Sequence, residues 1–180
     1  YVDFIKIASY EILWKDLLVK CAKTKKPIII STGMANMREV VNAVKILKKN
    51  GAKKIIILHC VSNYPAKLES LNLSAINTLR KKTKLDVGWS DHSAKNLVVY
   101  KAIQKWKASF VELHIDLDGK GYEYKSGHCW LPKNAKELIN FVKQDKLVDG
   151  NGKKKPNLDE MNERKFRADP LDGLRPIKKY

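Results

Sequence analysis

Apolar positions along the chain fall into two alternating regimes. Residues 3–9, 27–33, 54–60, 85–90 and 109–114 are short, nearly continuous apolar runs, such as Pro27-Ile28-Ile29-Ile30 and Ile55-Ile56-Ile57-Leu58. Runs of this length predict strands buried on both faces. Between them the apolar residues recur at helical spacing. Leu13, Leu17, Leu18 and Cys21 share one side of a helix over 12–23, and Val40, Val41, Val44 and Leu47 one side of a helix over 37–49, which Asn50-Gly51 stops. Further helices are predicted over 74–82, 97–106 and 135–142. Strand starts near residues 3, 27, 54, 85 and 109 have the spacing of βα units, so five such units follow one another.

From Gln144 the periodicity fades, and Asp149-Gly150-Asn151-Gly152 leads through three lysines to Pro156, which is linker chemistry. A charged helix is predicted over 157–167, ending before Asp169-Pro170. The expected organisation is a folded unit at 1–145 and a polar tail at 146–180.

Consecutive βα units build either a doubly wound open sheet or a closed (β/α)8 barrel. Neither GxGxxG nor GxxxxGK[ST] follows any strand, which weakens the nucleotide-binding open sheets. All five predicted strands turn polar at their ends: Lys6 and Ser9; Ser31 and Thr32; His59 through Tyr64; Ser90 through His92; Glu112 and His114. A barrel gathers every strand's C-terminal end around one mouth. The expectation is therefore an α/β fold, a partial TIM barrel of about five βα units. Within it, Val87–His92 and Phe110–His114 each end in a histidine near a carboxylate, as a metal or catalytic site does.

Composition changes this picture little. The 180 residues carry a formal charge of +17, but the lysines are spread over nearly every helix end and turn, where they solvate the surface and suit the helix dipole. Nucleic-acid binding is not expected. No run of about 18 apolar residues predicts a membrane span. Cys21, Cys60 and Cys129 are odd in number, widely spaced and without CxxC, which argues against a disulfide framework and fits a reducing cytoplasm.

The ordered series Lys6-Ile7-Ala8-Ser9, Ser31-Thr32-Gly33-Met34, Leu58-His59-Cys60, Asn63-Tyr64-Pro65, Ser90-Asp91-His92 and Glu112-Leu113-His114 resembles the sialic acid synthase family over roughly residues 3–143. The resemblance implies condensation of phosphoenolpyruvate with the open-chain aldehyde of a 2-acetamido sugar, N-acetylmannosamine or a relative, to a nonulosonate and phosphate. It implies a divalent ion, manganese or magnesium, on His92 and His114. Phosphoenolpyruvate would meet Lys6, Ser9, Ser31, Ser62 and Ser90. Tyr64 and Glu112 would hold the sugar, with Glu112, and Glu11 as a weaker candidate, shuttling protons. A lysine inside a doubly buried strand independently demands an anion.

The family's Pro-Gly-Pro-Asp stretch is replaced here by residues 119–128, so its sugar-binding aspartate has no counterpart. The resemblance further implies three upstream strands, absent from this sequence, a homodimer in full-length members, and a bacterial C-terminal antifreeze-like domain. On that expectation the chain is the second half of a barrel and inactive by itself. Two other readings stand beside it: another metal-dependent barrel keto acid aldolase, and a non-catalytic basic binding module.

Overall fold

The computed structural model describes residues 2–174, apart from the Lys146 side chain. The last part of the predicted tail, 175–180, lies outside the described residues. Five strands alternate with helices: β1 (Ile5–Ile7), α1 (Lys15–Lys23), β2 (Ile28–Ser31), α2 (Met37–Lys49), β3 (Ile55–Cys60), α3 (Ala75–Thr83), β4 (Asp86–Asp91), α4 (Asn96–Gln104) and β5 (Val111–Leu113). A short helix α5 (Tyr122–Lys125) and a long one, α6 (Pro132–Asp149), follow. The strands form one parallel sheet in the order β1-β2-β3-β4-β5. This is the βα succession predicted from the pattern.

Register divides the sheet's side chains into two faces. Ile7, Ile30, Ile57 and Val87 lie abreast, as do His59 and Trp89 further along. Ile7, Ile28, Ile30, Ile55, Ile57, Val87 and Trp89 pack with Leu18, Val40, Val44, Leu47, Ile76, Val98 and Val99 of the helices into one core. The other face carries Lys6, Ile29, Ser31, Leu58, Cys60, Ser90 and Glu112, by the alternation of side chains along each strand. Its middle is apolar and its C-terminal rim polar.

That second face is concave. In a flat sheet the outer two of five strands stand about 19 Å apart, beyond the joint reach of a lysine and a glutamate. Yet Lys6 Nζ of β1 meets Glu112 Oε2 of β5 at 3.1 Å. The sheet curls as a barrel wall does. Gly88 lets the wall close: a Cβ there would fall 2.3 Å from the Phe110 carbonyl oxygen and 2.7 Å from Leu58 Cδ2.

Several local predictions shift. Helix α1 starts only at Lys15, after a single 3-10 turn at Ser9–Glu11, so Leu13 is exposed and Ile12 is buried in its place. Helix α2 begins where predicted because Asn36 and Glu39 form a reciprocal capping box, with bonds of 3.1 and 2.8 Å. Helix α6 is longer than the predicted 135–142. In 157–167 the charged helix reduces to one 3-10 turn, Glu163–Phe166. By contact density the chain divides into two units, Tyr1–Val142 and Lys143–Tyr180. Among the described residues no helix is long and apolar enough to cross a membrane.

Candidate active site

At the C-terminal ends of the strands the concave rim gathers three contiguous clusters. The first joins β1, β4 and β5. Glu112 accepts a hydrogen bond from Ser90 Oγ at 2.8 Å through one carboxylate oxygen and pairs with Lys6 through the other. A lysine in an apolar strand thus meets its anion, with both side chains a little over a quarter exposed to the mouth.

The second cluster surrounds Gly33, just beyond β2. Its backbone N–H donates to Ser9 Oγ at 2.9 Å. A Cβ at Gly33 would fall 2.1 Å from Ser62 Oγ, 2.9 Å from Ser9 Oγ and 3.2 Å from Cys60 Sγ, so only glycine leaves this cradle open. The Ser31 hydroxyl is buried without a hydrogen-bond partner, and the Ser62 hydroxyl, also buried, faces the Tyr64 phenol. Buried hydroxyls are normally paired, and an orphaned one costs about 1–3 kcal/mol. Ser31 Oγ is thus free to serve a polar group brought to this rim.

The third cluster is aromatic. The Tyr64 ring lies 4.2 Å from the His92 ring, 5.9 Å from His114 and 5.1 Å from His128, and His92 and His114 are 5.0 Å apart. His92 is buried, and its Nδ1 lies 2.8 Å from the Val61 carbonyl. A carbonyl only accepts, so Nδ1 carries the proton and Nε2 keeps its lone pair for a ligand. That tautomer fits the metal role, and His114, across the cluster at the end of β5, fits as the second imidazole. Burial pushes the Tyr64 phenol above its usual range, aided by Cys60 and Tyr10 and opposed by Ser62.

The predicted residues Lys6, Ser90 and Glu112, then Ser9, Ser31 and Ser62, then Tyr64, His92 and His114 thus converge on one mouth. Glu11 is the exception: it sits half-buried in the turn after β1, and among the described residues no side-chain hydrogen bond or ion pair joins it to the others. Two polar strand-end residues face away from the rim. His59 lies on the helix side, 3.0 Å from the Leu71 carbonyl, and burial pushes its pKa below the ordinary 6.5. Asp91 is fully buried there, accepting from Trp89 Nε1, Ser93 Oγ, the Ala94 amide and Trp130 Nε1 at 2.6–3.2 Å. The carboxylate adjoining His92 in sequence is a structural anchor.

His128 escaped the sequence reading. It is 4% exposed, its ring lies 5.1 Å from that of His114, and burial with the neighbouring His114 lowers its pKa. A parallel bridge between Ile115 and Trp130 brings it there, with Trp130 N–H donating to the His114 carbonyl at 2.7 Å. The only signal was local: Gly127-His128-Cys129-Trp130 sets a histidine against an apolar pair inside an otherwise polar loop.

Comparison with known proteins places this geometry in context. Residues 1–154 match the model of the NeuB family. An N,N'-diacetyllegionaminic acid synthase of Campylobacter jejuni is 37% identical over 182 residues, which cover 99% of this chain and 54% of that protein. A pseudaminic acid synthase of Helicobacter pylori is 32% identical, with coverage of 97% and 51%. The crystal structure of an N-acetylneuraminic acid (sialic acid) synthetase from Leptospira borgpetersenii, in complex with citrate, is similar at a TM-score of 0.75 and 34% identity, covering 90% of this chain and 56% of that one. The chain spans about half the length of the curated relatives it matches.

Proposed function

Since the chain belongs to the NeuB family, we propose that its concave rim is part of the active site of a synthase that condenses phosphoenolpyruvate with a 2-acetamido sugar. Carbon 3 of phosphoenolpyruvate bonds to the aldehyde carbon, one water adds at carbon 2 and phosphate leaves, so the products are a nine-carbon keto sugar acid of the sialic acid type and phosphate. The observation that carries this reading is the buried Ser31 hydroxyl, unpaired on a rim that also presents the Lys6 ammonium. A phosphate or carboxylate accepts from the Ser31 hydroxyl and gains a charge-assisted contact from the lysine.

In this mechanism Lys6 holds an anionic group of phosphoenolpyruvate and Ser9, Ser31 and Ser62 donate to its oxygens, while Ser90, whose proton goes to Glu112, lines the same subsite. Glu112 stands between Lys6 and Ser90 and is placed to move a proton at the reacting carbons of the two substrates. Tyr64 covers the histidines and orients the sugar. His92 and His114 would hold a divalent ion, manganese or magnesium on the family resemblance, which supplies Lewis-acid polarisation of the sugar aldehyde. The side chains of the mouth keep the two substrates in register and exclude bulk water.

The test is phosphate release from phosphoenolpyruvate by the full-length protein. Release is expected only with both an acetamido sugar and a divalent ion, and His92→Ala or His114→Ala should abolish it. Phosphate release that persists after complete chelation refutes the mechanism.

A further inference from the structure

Beside His114 lie three residues that the proposed mechanism leaves idle: Glu123, His128 and Cys129. One ligand atom from each of these and from His114 lies within 4.8 Å of every other. Glu123 Oε2 stands 3.7 Å from His114 Nδ1 and 4.0 Å from His128 Nε2. Around a tetrahedral ion with bonds of about 2.0–2.3 Å, ligand atoms sit roughly 3.3–3.7 Å apart. The group needs only a small contraction to close on an ion.

The surroundings orient these atoms toward one another. Ser126 Oγ donates to the Glu123 carbonyl at 2.7 Å and lies 2.8 Å from His128 Nδ1. Its single proton is used on the carbonyl, so it accepts from Nδ1–H, and His128 Nε2 keeps its lone pair on the side of the cluster. The Ile115–Trp130 bridge fixes Cys129 and His128 against the end of β5. His128 and Cys129 are both buried, whereas the Glu123 side chain is 67% exposed.

We propose that His114, Glu123, His128 and Cys129 form a thiolate-containing site for a zinc-class divalent ion, Zn(II), Fe(II) or Co(II). Two imidazoles and a thiolate favour these over magnesium or manganese, which prefer all-oxygen shells. His114, His128 and Cys129 are the anchored ligands. Glu123 is the exchangeable one, so the ion keeps a position that a substrate oxygen can take. The inference rests on the reading of His114 as a metal ligand and adds to its companions three residues of the segment before α6.

Titrating the purified protein with Co(II) and with Zn(II) tests it. Co(II) should give a near-ultraviolet thiolate-to-metal charge-transfer band together with the intense visible bands of tetrahedral coordination. Cys129→Ser should remove the charge-transfer band, and His128→Gln or Glu123→Gln should weaken Zn(II) binding about tenfold or more, while His92→Ala leaves the band in place. Circular dichroism checks that each variant is folded, and Glu123, being exposed, gives a variant without a packing cost. Co(II) bound without a charge-transfer band, in a manner lost in His92→Ala and indifferent to Glu123→Gln and Cys129→Ser, overturns this inference and leaves the two-histidine site standing. Binding of neither ion overturns this inference alone, and binding unchanged in His114→Ala overturns both.

Discussion

Ser31 makes no hydrogen bond to lose, so its hydroxyl belongs to the ligand or to nothing. Ser31→Ala is expected to leave the unfolding free energy unchanged or raise it by up to about 1–3 kcal/mol, since it removes an unpaired buried hydroxyl and orphans no partner. It should raise the KM for phosphoenolpyruvate several-fold. A large stability loss in urea denaturation would make Ser31 a structural residue instead. Lys6→Ala removes a fixed cation from the rim, and kcat/KM should fall by about 10²–10³, the scale of one lost charge-stabilising contact. Asp91 has the opposite profile. Asp91→Ala strips the acceptor from two indoles, a serine and a backbone amide at once, each worth about 1–3 kcal/mol when left buried and unpaired. Thermal and urea unfolding should show a loss of several kcal/mol.

At the scale of elements, β3 and β4 set both the curvature of the sheet and its pH response. The Cβ of Gly88→Ala would push into the Phe110 carbonyl and Leu58, so β4 must separate from β5. A destabilisation of about 1–3 kcal/mol is expected, with a shifted contact between Ser90 and Glu112 visible as weakened substrate binding. On the other face of β3, His59 has its pKa lowered below 6.5 by burial. Between the folded value and 6.5 the unfolded chain binds more protons than the folded one, so stability rises with pH across that window and is lost as pH falls below about 6.5. His59→Gln keeps a donor for the Leu71 carbonyl and removes the titration. Unfolding measured against pH should therefore be flatter in the variant; identical profiles would mean that His59 does not contribute.

For the molecule as a whole, five strands curl into a wall with β1 at one edge. Ile5 N–H bonds to the Pro27 carbonyl, so by the alternation of a parallel ladder the Lys6 N–H points away from β2, on the side where no strand pairs with β1 among the described residues. Edge amides of this kind are paired, covered or exposed to exchange. Hydrogen exchange is expected to be slow at Ile57 in the middle of β3, and slow exchange at Lys6 in the full-length protein would show that a further strand pairs with β1. The same curvature brings Lys6 to Glu112.

The pattern of apolar runs determined the βα order, the parallel sheet and the strand ends that bear chemistry, because burial on two faces leaves a continuous apolar signature and a polar tip stands out against it. Lys6 was legible for this reason: a cation inside such a run has to meet an anion. What faces what was not legible. His59 and Asp91 stand at strand ends like Ser90 and His92, but the alternation of the strand turns them to the helices, and only the register shows which residue takes which side. His128 was hidden for a different reason. It reaches His114 through a bridge between Ile115 and Trp130 across a loop without periodicity, and no spacing in the sequence encodes a contact made by chain return. The stretch of sequence could place His92 and His114 at neighbouring strand ends; the folding of the loop over β5 decided that Glu123, His128 and Cys129 stand beside them.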